Sequence, residues 1–150
     1  MRILFVCTGN TCRSPLAEAI ARRILGESGK DNVTVESAGT NAWDGAPATD
    51  AALLVGVERG LDLSGHRSRR LTAAMLAASD LVLVMSPEHI ARVKEIDSTT
   101  NVHLLAGYAP ETAPGREISD PFGGNLDDYR ATADELEHEL KAMLDHIKAA

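Results

Sequence analysis

Apolar positions along the chain follow two rhythms. Residues 3–6 (Ile-Leu-Phe-Val) and 81–85 (Leu-Val-Leu-Val-Met) are unbroken apolar runs, the mark of strands buried on both faces. Residues 33–36 alternate like a strand and run into Ser37-Ala38-Gly39, and 102–105 read as a further short strand. Between these runs the apolar spacing widens to three and four. Leu16, Ile20 and Ile24 form one stripe of a helix that opens at Ser14-Pro15, with Ser14 as N-cap, Pro15 in the first turn and Glu18 completing a capping box. Residues 48–59 read as a helix with Leu53, Leu54 and Val57 on its apolar face, and 71–78 and 87–96 as two more. After a polar, Pro- and Gly-bearing loop over 106–125, residues 126–147 close the chain as a helix with Leu136, Leu140, Leu144 and Ile147 in register. Strands alternating with helices predict an α/β fold: three layers, a doubly wound, mostly parallel four-stranded sheet with helices on both faces, and right-handed crossovers. We expect one domain over residues 1–150. Ligands of such sheets bind at the carboxyl ends of the strands, the edge where Cys7 and the residues after it fall.

Composition narrows the chemistry. At 150 residues and 44% hydrophobic content the chain can bury one core without covalent staples. Fifteen Lys+Arg against 22 Asp+Glu leave a net charge of −7, which argues against a general nucleic-acid or anionic-membrane partner. No apolar stretch approaches the ~18 residues of a membrane helix, and the apolar run at the start is too short for a signal-peptide core, so a cytoplasmic location is expected. The two cysteines, Cys7 and Cys12, lie too close in sequence to cross-link a fold and too few to form a multi-cysteine zinc site. His89, His103, His138 and His146 are scattered without ligand spacing, so neither a metal nor another cofactor is expected. Arg67, Arg69 and Arg70 read as a solvated basic patch, and Tyr129 as packing on the last helix.

The informative segment is Cys7-Thr8-Gly9-Asn10-Thr11-Cys12-Arg13-Ser14, between a buried strand and a helix start. Amide N–H groups of such a loop can converge on one point, where the helix dipole adds positive potential. A tetrahedral oxyanion suits that point. Arg13 can offer its planar fork to two oxygens of the guest, and Cys7 beneath it would sit as thiolate, the nucleophilic form. Ser14 can donate a further hydrogen bond to the sulfur.

These residues resemble the Cys-x5-Arg-Ser signature of the low-molecular-weight protein tyrosine phosphatases. The likeness continues through Ser37-Ala38-Gly39-Thr40, residues 65–69, residues 80–85 and Asp120-Pro121-Phe122, so it spans nearly the whole chain. The resemblance implies a metal-free, two-step reaction through a phosphocysteine. Cys7 would be the nucleophile, Arg13 would hold the transferring phosphoryl group, and Asp120 would serve as general acid and then base. Thr8, Gly9, Asn10, Thr11, Cys12 and Ser14 would complete the phosphate loop, and Ser37 and His66 would help hold it in shape. Cys12 resembles a second loop cysteine able to pair with the nucleophile under oxidation. Substrates would be phosphorylated proteins or peptides, and inorganic phosphate a product and inhibitor. Thr11 departs from the Ile or Leu usual in tyrosine-directed members and, with Asp120-Pro-Phe-Gly-Gly, resembles the family's bacterial protein arginine phosphatases. Trp43 and Phe122 resemble aromatic walls of the substrate pocket. Phosphoarginine is therefore the favoured substrate and phosphotyrosine the alternative. Arsenate reductases coupled to thioredoxin need further cysteines that this chain lacks, and a non-catalytic phosphate-binding module would lack the nucleophile or the acid.

Overall fold

The computed structural model describes residues 1–30 and 32–149. Its elements run β1 (Arg2–Cys7), α1 (Arg13–Glu27), β2 (Thr34–Gly39), α2 (Asp50–Glu58), α3 (Ala73–Ala77), β3 (Leu81–Val84), α4 (Pro87–Ile96), β4 (Val102–Leu104) and α5 (Leu126–Ala149). The four strands form one sheet in the order β2-β1-β3-β4, and every pairing is parallel.

Alternate residues of β1 feed two separate cores, because successive side chains of a strand point to opposite faces. Ile3, Phe5 and Cys7 join Leu16, Ile20, Ala52, Leu136 and Leu140, so α1, α2 and α5 cover one face. Leu4 and Val6 join Leu76 and Val93, so α3 and α4 cover the other. This is the expected three-layer α/β arrangement. Each fully buried Leu, Ile or Phe contributes about 1.5–3 kcal/mol. Among the described residues no helix is long and apolar enough to cross a membrane.

The strand order turns round between β1 and β3: β1 leads toward β2 on one side, β3 toward β4 on the other. A crevice opens at such a switch point, at the carboxyl ends of the two strands. Here the loop after β1 and the start of α4 after β3 meet there, tied by Met85 N–H donating to Val6 O at 3.2 Å.

Several boundaries differ from the sequence reading. Ser14 is not the N-cap of α1. Cys12 holds that position, without a side-chain cap, and Ser14 lies inside the helix with its hydroxyl turned back to Cys7 Sγ at 2.9 Å. Glu18 completes no capping box; it accepts from Ser37 Oγ at 2.7 Å and pairs with Arg22. β2 continues to Gly39 instead of ending at residue 36, because Ser37-Ala38-Gly39 pair with Phe5-Val6-Cys7. α3 is shorter than 71–78. Leu71 donates its N–H to Gly39 O at 2.9 Å, which holds it outside the helix, and Thr72 caps the turn that follows. Gly39 is required where it stands, since a Cβ there would lie 2.5 Å from Thr8 O.

Candidate active site

Residues 8–12 leave the end of β1 and curl around the N-terminus of α1 with their carbonyls turned outward. Thr40 N donates to Cys7 O at 2.9 Å, Asn41 N to Thr8 O at 2.9 Å, Thr49 N to Thr11 O at 3.0 Å and His66 Nε2 to Asn10 O at 2.7 Å. In a trans peptide the next N–H points opposite to the carbonyl. Anchoring the carbonyls outside therefore turns the amides inward, and among the described residues no protein acceptor meets the N–H groups of residues 8–14. The result is a ring of unspent donors at a helix N-terminus, an arrangement made for an anion.

Asn10 shapes this ring. It is the one non-glycine residue with positive φ (56°) among those described, a conformation Asn tolerates better than most. Its side chain is fully committed: Nδ2 donates to Ser14 Oγ at 2.7 Å and Ser37 Oγ at 3.0 Å, while Oδ1 accepts from Arg69 N at 2.9 Å. Asn10 Nδ2 occupies one lone pair of Ser14 Oγ, and the Ser14 hydroxyl proton remains available to a Cys7 thiolate, which can only accept.

Cys7, Thr8, Gly9, Thr11, Cys12, Arg13, Asp120 and Phe122 line a cavity of about 180 Å³ above Cys7. Arg13 is 4% exposed. Its Nη1 is tethered to Ile118 O at 3.1 Å and its Nη2 lies 3.5 Å from Asp120 Oδ2. The Asp120 carboxylate is half exposed and accepts Phe122 N at 3.1 Å. The loop carrying it is fastened at intervals. Ile118 N donates to Met85 O at 2.7 Å, Ser119 N reaches Glu135 at 3.4 Å, and Thr132 Oγ1 donates to Ser119 O at 3.2 Å. Arg116 bridges Glu135 and the buried Glu139, which also accepts Gly107 N at 3.4 Å.

The sequence-predicted residues thus fall into three groups. Cys7, Thr8, Gly9, Thr11, Cys12, Arg13, Asp120 and Phe122 share the cavity, while Asn10, Ser14, Ser37 and His66 hold its floor from behind. Trp43 stands apart, 85% exposed and outside the cavity lining.

Two residues that the sequence reads as ordinary, a histidine without ligand spacing and a tyrosine packed on the last helix, touch the loop. His89 is 1% exposed, and its Nε2 lies 2.8 Å from Thr8 Oγ1 while its Nδ1 accepts Ser86 N–H at 3.2 Å. Burial, reinforced by the Arg13 charge, pushes His89 down to about 4, so the ring is neutral near pH 7. Tyr129, also buried, has its hydroxyl 3.3 Å from Cys12 Sγ and 3.2 Å from Thr49 Oγ1, and burial pushes that phenol up to about 12. Only the Ser86-Pro87 helix start hinted at His89, as a capping partner; neither tie to the loop has a local signal. Arg69 is likewise more than a solvated charge: its guanidinium donates to Ser37 O at 3.1 Å.

A parallel sheet that delivers a cysteine into a ring of amide donors, with an arginine and an aspartate facing each other across it, defines the class of cysteine-based phosphatases. The family model described as low molecular weight phosphotyrosine protein phosphatase matches residues 2–150, and the chain belongs to that family. It is 39% identical over 154 residues to the protein-arginine-phosphatase of Bacillus subtilis strain 168, covering 99% of this chain and 97% of that one. It is also 39% identical over 137 residues to the low molecular weight protein-tyrosine-phosphatase Etp of Escherichia coli K12, covering 91% and 82%. Among solved structures it superposes with a TM-score of 0.92 on a YwlE arginine phosphatase, a cysteine-to-serine mutant with phosphorylated active-site serine, at 37% identity over 99% of this chain and 96% of that one. The protein is a phosphoprotein phosphatase, a hydrolase that acts on phosphorylated proteins.

Proposed function

We propose that this single domain removes phosphate from phosphoarginine in cytoplasmic proteins, through a phosphocysteine and without metal or cofactor. The observation that carries the reaction type is Cys7 Sγ, bonded to Ser14 Oγ at the floor of a ring of inward amides, with Arg13 beside it and Asp120 across from it. Cys7 thiolate attacks phosphorus in line as the bond to the leaving nitrogen breaks. The electron pair goes to that nitrogen, which takes a proton from Asp120. Arg13 and the amides of residues 8–14 hold the charge spread over the three equatorial oxygens. Water then attacks phosphorus, passes its proton to the Asp120 carboxylate and releases Cys7 thiolate and inorganic phosphate. The product fits the same cradle and acts as an inhibitor.

Phosphoarginine is favoured over phosphotyrosine by Thr11 in the cavity lining, a hydroxyl where an apolar side chain would better suit a phenyl ring. The full-length likeness to protein-arginine-phosphatases supports the same reading. Asp120 can also pair with a guanidinium as the P–N bond breaks. The phosphotyrosine reading has one observation of its own: Phe122, 72% exposed at the cavity rim, offers a ring a stacking surface. Trp43 would select substrate only from further out on the protein partner. Phosphoarginine and phosphotyrosine peptides assayed side by side with wild type, Cys7→Ser and Thr11→Ile decide the matter. Wild type should prefer phosphoarginine, and Thr11→Ile should move the ratio toward phosphotyrosine by about tenfold. A strong wild-type preference for phosphotyrosine, or a ratio indifferent to Thr11→Ile, overturns the substrate assignment.

A further inference from the structure

The contact between His89 and Thr8 crosses from α4 to the phosphate loop and has no part in the chemistry above. Hydrogen-bond bookkeeping settles its direction. Ser86 presents two groups to His89 Nδ1, its N–H at 3.2 Å and its hydroxyl at 3.1 Å; the backbone N–H can only donate, so Nδ1 presents a lone pair and the hydroxyl, which can take either role, donates to it as well. A neutral imidazole with an unprotonated Nδ1 carries its proton on Nε2, and that proton points at Thr8 Oγ1, 2.8 Å away. Burial keeps the ring in this neutral form. A threonine hydroxyl has one proton and two lone pairs; His89 fills a lone pair, so the proton of Thr8 must be donated elsewhere. Among the described residues no protein acceptor is within reach of it. Thr8 is exposed and lines the cavity with Cys7, Arg13 and Asp120, where the guest's oxygens are acceptors only.

We infer that the Thr8 hydroxyl is a side-chain donor to the bound phosphoryl group, and that His89 is the positioning residue that aims it. The chain of donors runs from Ser86 N–H through the ring of His89 to Thr8 and on to a phosphoryl oxygen. It enters the site from β3 and α4, whereas the amides enter from β1 and α1, so the pocket draws donors from both sides of the switch point. Without His89 the Thr8 hydroxyl could rotate about its C–O bond and spend its proton on solvent. Valine at position 8 would keep the shape of the side chain and lose the donor.

This inference rests on the phosphatase reading, but its test does not need turnover. Inorganic phosphate is titrated calorimetrically into wild type, Thr8→Val, Thr8→Ser, His89→Gln and the Thr8→Val/His89→Gln double variant, and kcat/KM is measured on a phosphoarginine peptide in parallel. Thr8→Val should weaken phosphate binding and lower kcat/KM by about tenfold each, the size of one hydrogen bond to a charged acceptor. Thr8→Ser should recover most of the loss. His89→Gln should lose a similar factor, and the double variant no more than the larger single effect. A purely structural role for His89 would give effects that multiply. Thr8→Val equal to wild type in phosphate affinity and kcat/KM overturns the inference, as do multiplying losses in the double variant. Because Thr8 is exposed, Thr8→Val decides the matter even where His89→Gln fails to fold. Thr8-dependent phosphate binding without turnover by wild type would instead overturn the phosphatase reading and leave the donor standing.

Discussion

The loop after β1 and the loop that carries Asp120 close one pocket from opposite sides, and they are held by different chemistry. The first is short, built around buried Asn10, and has its carbonyls from Cys7 to Thr8 and at Asn10 and Thr11 bonded to neighbouring protein donors. The second spans residues 105–125 between β4 and α5, and charged side chains fasten it to α5: Arg116 on Glu135 and Glu139, Ser119 on Glu135. Neutral hydrogen bonds under a buried floor fix the loop that, on the proposed mechanism, receives the charge of phosphate. Ion pairs to α5, one of them on the buried Glu139, fasten the loop of the half-exposed Asp120, which on the proposed mechanism meets leaving groups of varied shape. Ile118 joins the two, since its N–H is bonded to Met85 O and its carbonyl receives Arg13. On the proposed mechanism the contrast makes the phosphate end preorganised and the leaving-group end adjustable.

If that division is right, variants on the two sides differ in kind as well as in size. Cys7→Ser removes the proposed nucleophile and should abolish turnover, by about 10⁴-fold or more, with the folded state intact and inorganic phosphate still bound. Asp120→Asn should lose about 10²–10³-fold on phosphoarginine peptides but far less on an aryl phosphate with a good leaving group, because only the former needs the proton. Asn10→Ala should fail without regard to leaving group. It strips partners from Ser14, Ser37 and Arg69 N and leaves an alanine at positive φ, a cost of about 3 kcal/mol that denaturant unfolding would read. Glu139→Gln should act as a weaker Asp120 variant: about tenfold down on phosphoarginine peptides and little changed on the aryl phosphate, since it loosens the Asp120 loop and leaves the cradle alone. Equal losses on both substrates for Glu139→Gln would erase the distinction between the two loops.

The same contrast governs how much could be read from the chain beforehand. The cradle is nearly continuous in sequence, eight residues between a buried strand and a helix stripe, so local physics exposes Cys7, Arg13 and the loop amides together. Of the two tasks read for Ser14, the contact with the Cys7 sulfur is present at 2.9 Å, whereas the N-cap falls to Cys12, because a serine before proline satisfies the capping pattern whether or not its hydroxyl is already spent on a sulfur. Asp120 lies in the cavity lining, and only the resemblance pointed to it there, since Asp before Pro alone is a common turn. His89 gave no sign of touching the loop because its partner Thr8 is 81 positions away, and the sequence favours plain packing for Tyr129 because Cys12 is 117 positions away. The alternation of strands and helices carried the fold class and the sheet edge, but not which element of the far half would lean on the loop.

His89 also provides the smallest and most selective test of how rigid the cradle side is. An ordinary histidine titrates near 6.5, whereas this ring is held down to about 4, chiefly by burial and then by Arg13. As pH falls below 6.5 the unfolded chain therefore takes up a proton that the native state refuses. Stability must decrease on acidification across the window from 6.5 to about 4, then level off with respect to this group. Between pH 7.5 and 5.5, above most carboxylate titration, the loss attributable to His89 is about 1.4 kcal/mol. Denaturant unfolding at those two pH values, with His89→Gln as the reference, isolates it: the wild-type difference should exceed that of the variant by this amount. An equal pH dependence in the two proteins would mean that the ring accepts its second proton in place. The Ser86–His89–Thr8 chain would then yield to acid, and the cradle would be as adjustable as the loop opposite.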